Sequence, residues 1–162
     1  MSSLFRRRIQ TPVGEVSLVF LAASVLWMLF IWGNSTVSGS GSSALSHSTL
    51  DTLKEVLTSW GIPCAWLTNF LVRKTAHVLE YALLGLLVSQ AFGSGASLRG
   101  PRLGATLLVL VLVPAIDETI QLFTPGRSGM FTDVLIDCCG ATFGVLVRTL
   151  AVSARLRRVN RG

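Results

Sequence analysis

At 162 residues and a formal net charge of +6, with 51% apolar and 14% charged residues and a mean hydropathy of +0.62, the chain is too apolar for a soluble domain of this size. The positive balance does not point to nucleic acid, because ten of the fourteen Lys and Arg residues sit at the ends of apolar runs, where they orient a membrane protein. Cys64, Cys138 and Cys139 fall in no metal-ligand spacing and in no CxxC pair, so neither a disulfide framework, a metal site nor a cofactor is expected.

Residues 1–15 read as a basic cytoplasmic tail carrying Arg6, Arg7 and Arg8. A first membrane helix follows over about 16–33, long enough to cross a hydrocarbon core of roughly 30 Å once tilt and the interfacial Trp27 and Trp32 are allowed for. Its length and tryptophans argue against a cleaved signal peptide, which shares the basic-then-apolar order. Asn34 to Ser48 is rich in Ser and Gly and reads as a flexible linker. Ser48 and Asp51 then have capping-box spacing, and Leu50, Leu53, Leu57 and Trp60 recur at helical spacing, predicting a short amphipathic helix on the outer membrane surface.

Three further membrane helices are predicted over about 70–92, 103–123 and 131–152, with a second basic tail over 153–162. Pro114 interrupts the third membrane helix one turn before Asp117. The fold class is therefore all-α: a polytopic membrane protein with four transmembrane helices and one extracytoplasmic amphipathic helix. Arg6, Arg7, Arg8, Arg99, Arg102, Arg148, Arg155, Arg157, Arg158 and Arg161 fall on one side, against Lys54, Arg73, Lys74 and Arg127 on the other. That asymmetry places both termini in the cytoplasm and the chain in the cytoplasmic membrane.

The polar residues inside these helices carry the chemistry. A charged side chain in a bilayer costs roughly 2.5 kcal/mol or more, so each is a candidate functional group. At about 1.5 Å per residue, Glu80 lies about 10 Å below Arg73, while Asp117 and Glu118 lie about 8 to 9 Å below the outer end of their helix. Asp137 lies about 9 Å below the start of the last helix. Three helices thus bring carboxylates to one depth in the outer half. Helical spacing puts Arg73, His77 and Glu80 or Tyr81 on one face, Asp117 and Gln121 on another, and Asp133, Asp137, Gly140 and Gly144 on a third. Gly140 and Gly144 form a GxxxG pair suited to close helix approach. Asp133 gains from the dipole of its helix, whereas Asp117 and Glu118 do not and are expected to need Arg73, Lys74 or Arg127.

Five acids facing three cations and one histidine exceed what an inert charge lock requires, and the excess should take up protons, hold an ion or receive a cationic group. The expected role is binding, not catalysis. Arg73, Lys74 and Arg127 would meet phosphate of a membrane lipid or lipid-linked wall precursor, and the carboxylates would receive amino or hydroxyl groups. The rival expectation is an enzyme acting on such a lipid-linked substrate, with His77, Glu80 and Asp117 as acid-base groups and Arg127 stabilising charge, but no nucleophile motif accompanies them. Transport fits less well, because the polar residues stop at mid-membrane.

The Arg-Lys-x-x-His-x-x-Glu-Tyr run at 73–81, the Asp-Glu-x-x-Gln run at 117–121, the Pro-Gly-Arg turn at 125–127 and the Asp-Val-x-x-Asp-x-x-Gly run at 133–140 resemble the VanZ-like integral membrane proteins. The resemblance spans roughly residues 16–152, the extent expected of the membrane domain. It implies four membrane helices, and it puts functional weight on Arg73, His77, Glu80, Asp117, Glu118, Gln121, Arg127 and Asp133; at Asp137 the family pattern also accepts Asn. The name-giving member is associated with resistance to teicoplanin-type glycopeptides, so the resemblance further implies a bacterial cell-envelope role.

Overall fold

The computed structural model describes residues 8–93, 95 and 98–160. Arg6, Arg7 and Arg161, read above as topology markers, lie outside the described residues. In chain order the elements are strands β1 (Arg8–Thr11) and β2 (Gly14–Ser17), then helices α1 (Leu18–Ser35), α2 (Gly39–Ser59), α3 (Asn69–Phe92), α4 (Pro101–Leu122) and α5 (Phe131–Val159).

Helices α1, α3, α4 and α5 are each long and apolar enough to span a bilayer. Their exposed surface carries large apolar side chains, among them Leu26, Phe30, Leu108 and Leu146, an arrangement that suits lipid and not water. The protein is a multi-pass, all-α membrane protein, with one small antiparallel hairpin as its only described sheet. The apolar core is narrow, built from Ile31, Tyr81, Leu84, Val88, Leu110, Val113 and Ala141.

α3 and α5 run side by side in the same direction, and glycines set their separation. A Cβ on Gly144 would lie 1.8 Å from the Ala82 carbonyl oxygen, one on Gly85 1.9 Å from that of Ala141, and one on Gly140 2.7 Å from that of Val78. Close backbone approach of this kind substitutes for the hydrophobic drive that is missing in lipid.

Four local readings change. The segment read as a tail folds from Arg8 into a hairpin with Ile9 opposite Val16, turning at Gly14 with φ +107°. It closes the end of the bundle opposite the polar cluster, where Arg8 donates to the Gly93 carbonyl at 3.1 Å. The Ser/Gly linker is helical from Gly39, because Ser38 caps the helix by accepting from the Gly41 amide and because the Gly39 amide donates to the Pro125 carbonyl at 2.9 Å. The Ser48–Asp51 spacing therefore lies inside α2 and starts nothing. Trp27 and Trp32 are not interfacial anchors: their indole N–H groups donate to the carbonyls of Glu80 (2.9 Å) and Val113 (3.3 Å), joining α1 to α3 and α4. Finally, α5 runs on to Val159 through the stretch read as a tail.

Arg148 is more than a topology marker. Buried near the hairpin end, it donates to Gln90 at 2.8 Å and to the carbonyls of Gly95 and Gly93 at 2.6 and 3.2 Å, tying α5 to the segment between α3 and α4. Pro114 removes the amide that would have bonded the Leu110 carbonyl, and the Cys138 thiol donates to that oxygen at 3.4 Å.

Candidate functional site

The site occupies the end of the bundle where α1 and α4 finish and α3 and α5 begin. Exposed aromatic residues Trp60, Trp66, Phe70, Phe123 and Phe131 surround this end, as expected of side chains at the level of lipid head groups.

Its floor is a buried network centred on α4. Asp117 accepts from the Ser35 hydroxyl at 2.5 Å and from the Gln121 amide at 3.1 Å. Gln121 also donates to Glu118 at 3.2 Å, and Glu118 accepts from the Met130 backbone amide at 2.8 Å, anchoring the start of α5. Thr124 closes the network on the Ser35 carbonyl at 2.9 Å. Asp117 and Glu118 are thus held by neutral donors, which corrects the expectation that they pair with Arg73, Lys74 or Arg127. Ser35 and the Met130 amide reach them first from within the bundle.

On the α3–α5 seam, Lys74 pairs with Asp133 at 2.5 Å and lies 5.6 Å from the centroid of the Phe70 ring. One turn deeper, His77 Nδ1 stands 3.6 Å from Asp137 Oδ1. Below these, the fully buried Tyr81 hydroxyl lies next to Asp117 without forming a hydrogen bond. On the α1 side, Asn34 donates to Glu80 at 3.4 Å while its carbonyl accepts from Arg127 at 3.1 Å.

Arg127 is aimed by the Thr124–Arg127 turn. Gly126 has φ +74°, a conformation that glycine tolerates, and the Arg127 amide bonds the Thr124 carbonyl at 3.1 Å. The rest of its guanidinium is less well satisfied, since Nε is buried without a hydrogen-bond partner. Burial, and then the nearby Arg73, pull the Arg127 guanidinium below its ordinary pKa, although Asp117, Glu118 and Glu80 oppose the shift. Among the described residues neither Arg73 nor Arg127 forms an ion pair.

Two cavities share Arg73, His77 and Arg127. The first, about 170 Å³, lies between α1, α2 and α3, with Asn34, Ser35 and Glu80 on one side and Ser42, Leu45 and Ser46 of α2 as its roof. The second, about 320 Å³, lies toward α5 and adds Lys74, Gln121, Ser128 and Asp133. Of the eleven residues singled out in the sequence, Arg73, Lys74, His77, Glu80, Gln121, Arg127 and Asp133 therefore line open space. Tyr81, Asp117, Glu118 and Asp137 lie buried in or beside the floor. Sequence reasoning missed Asn34, Ser35, Thr124 and the α2 serines. The signal was there in Asn34 and Ser35, two polar residues ending an apolar run.

Four spanning helices with a polar, cation-bearing cluster at one end define a polytopic membrane protein whose polar side chains gather at one side of the bilayer. A family model described as VanZ/LLP1 matches residues 20–152, covering α3 and α4 whole and most of α1 and α5. The chain belongs to the VanZ/LLP1 family. No curated protein and no solved structure matches it.

Proposed function

We propose that this protein binds, without chemical conversion, the phosphate-bearing head group of a membrane lipid or lipid-linked wall precursor in the outer leaflet of the bacterial cytoplasmic membrane. The observation that carries this reading is the convergence of Arg73 and Arg127 on both cavities, neither held by a described carboxylate, with Arg127 Nε buried and unbonded. Two guanidiniums facing shared space repel one another unless an anion lies between them, and planar guanidinium donors suit phosphate oxygens. Glu80 and Asp133 at the cavity walls are acceptors for the amino or hydroxyl groups of the same head group. Together with the family, this suggests a role in exposing or masking the cell surface to lipid-tailed glycopeptides of the teicoplanin type, or in envelope homeostasis.

Native mass spectrometry in mild detergent is the direct test. The wild-type protein is expected to retain an anionic lipid or wall precursor, and Arg127→Ala or Glu80→Gln to retain less than about a tenth as much. Absence of bound lipid from the wild type defeats binding. Conversion of an added lipid-linked substrate by wild type and not by His77→Ala replaces binding with catalysis.

The outward orientation has its own check, and rests on the basic residues gathered at the other end of the bundle. With Cys64, Cys138 and Cys139 replaced by alanine, a membrane-impermeant maleimide applied to intact cells is expected to label Ser128→Cys and leave Arg157→Cys unlabelled. The reverse pattern overturns the orientation.

A further inference from the structure

Below the two cavities, three ligand-bearing side chains from three helices meet. His77 of α3, Asp117 of α4 and Asp137 of α5 each present one donor atom within 4.8 Å of the others. Asp117 is ready oriented, because the Ser35 and Gln121 bonds fix its carboxylate while leaving lone pairs on both oxygens, the usual arrangement around a ligating carboxylate.

Asp137 is the independent observation. It is 1% exposed, and neither of its oxygens accepts a hydrogen bond. Its partner across the seam, His77 Nδ1, stands at 3.6 Å, beyond hydrogen-bond contact. A buried carboxylate without hydrogen bonds is costly unless a cation meets it, and the cations within reach are a protonated His77 or a bound metal ion. Two atoms bound at about 2.1 Å to one tetrahedral ion stand about 3.4 Å apart, close to the His77–Asp137 separation, and the ion would draw in the third ligand from within 4.8 Å. The charges also balance, since a divalent ion neutralises two carboxylates and leaves the imidazole neutral, as a ligand must be.

We infer that His77, Asp117 and Asp137 bind one divalent first-row cation, Zn²⁺ or Mn²⁺, the ions suited to one imidazole with two carboxylates. His77 lines both cavities, so the open coordination positions of the ion face the space above it. The ligands come from three helices far apart in the chain, which is why no local spacing announced them and the sequence suggested no metal. The site stands on this cluster alone and does not depend on what occupies the cavities.

The test uses tag-free, full-length protein in mild detergent, stripped with chelator and then given Zn²⁺ or Mn²⁺ alone. Plasma mass spectrometry after desalting is expected to find about one equivalent of one of these ions on wild type and on the exposed-site variant Asp51→Asn. Asp137→Asn and His77→Gln should hold at least tenfold less, and the ion should raise the thermal midpoint of wild type but not of these variants. No stoichiometric ion on wild type, or equal retention by the variants, overturns the site. Because a variant that fails to fold would also lose metal, X-ray absorption on loaded wild type decides independently. One imidazole among oxygen ligands is expected, and a shell with sulfur or without imidazole overturns the assignment.

Discussion

Gly144→Val is expected to abolish the folded bundle, seen as loss of the monodisperse peak in fluorescence-detected size exclusion and as a collapse of the thermal midpoint. The added Cβ alone would lie 1.8 Å from the Ala82 carbonyl oxygen and 2.9 Å from the Leu86 amide nitrogen. These are backbone atoms of a helix, so no side-chain rotation relieves the overlap and α3 and α5 have to separate. Overpacking of a relieved kind costs typically 1–3 kcal/mol, and this contact belongs at about 3 kcal/mol or beyond. The seam also holds Lys74 against Asp133 and His77 beside Asp137, so parting the helices disperses the site together with the fold. Gly33→Ala is the control, since it sits inside α1 and an added methyl group would meet nothing within 4 Å. There alanine is expected to be neutral or to stabilise by about 0.5–1 kcal/mol, because glycine is the poorer helix former. Equal behaviour of the two variants would mean that α3 and α5 do not touch along Gly144.

The same glycines show which parts of the fold were legible in the sequence. Apolar runs of spanning length and the spacing of Gly140 and Gly144 are local, periodic signals, and they pointed to four membrane helices and to close approach by the last of them. The hairpin at Arg8–Ser17 and the first turns of α2 left weaker traces. Neither segment is apolar, and each is held by a distant partner: Gly93 for Arg8 and Pro125 for Gly39. Depth along each helix brought Glu80, Asp117, Glu118, Asp133 and Asp137 to one end of the bundle, because rise per residue is fixed. Pairing was not legible, since it depends on rotation between helices. Asp117 met Ser35 instead of an arginine, Lys74 met Asp133, and Arg73 and Arg127 were left facing each other across open space. That leftover pair is what turns a surplus of acids into an argument about anions.

The double variant Arg73→Ala, Arg127→Ala is expected to lower affinity for an anionic phospholipid by a factor of about 100 to 1,000 while leaving the thermal midpoint within a few degrees of wild type. Hydrogen bonds to charged groups contribute about 1.5–3 kcal/mol each, so losing both guanidiniums removes about 3–6 kcal/mol before their shared dependence on one phosphate is discounted. Stability should change little, because among the described residues neither arginine forms an ion pair and the one bond to be lost is that from Arg127 to the Asn34 carbonyl. Relief of the repulsion between the two cations offsets part of that bond. Lys74→Ala separates charge from position: Lys74 is engaged by Asp133, so its removal is expected to cost tenfold or less in affinity. Lipid titration into protein held in zwitterionic detergent, followed by native mass spectrometry or tryptophan fluorescence, reads all three affinities. A double variant that binds anionic lipid as tightly as wild type would mean that the facing guanidiniums are not what recognises the head group. An equally large loss for Lys74→Ala would mean that total positive charge, and not the Arg73–Arg127 geometry, draws the anion in.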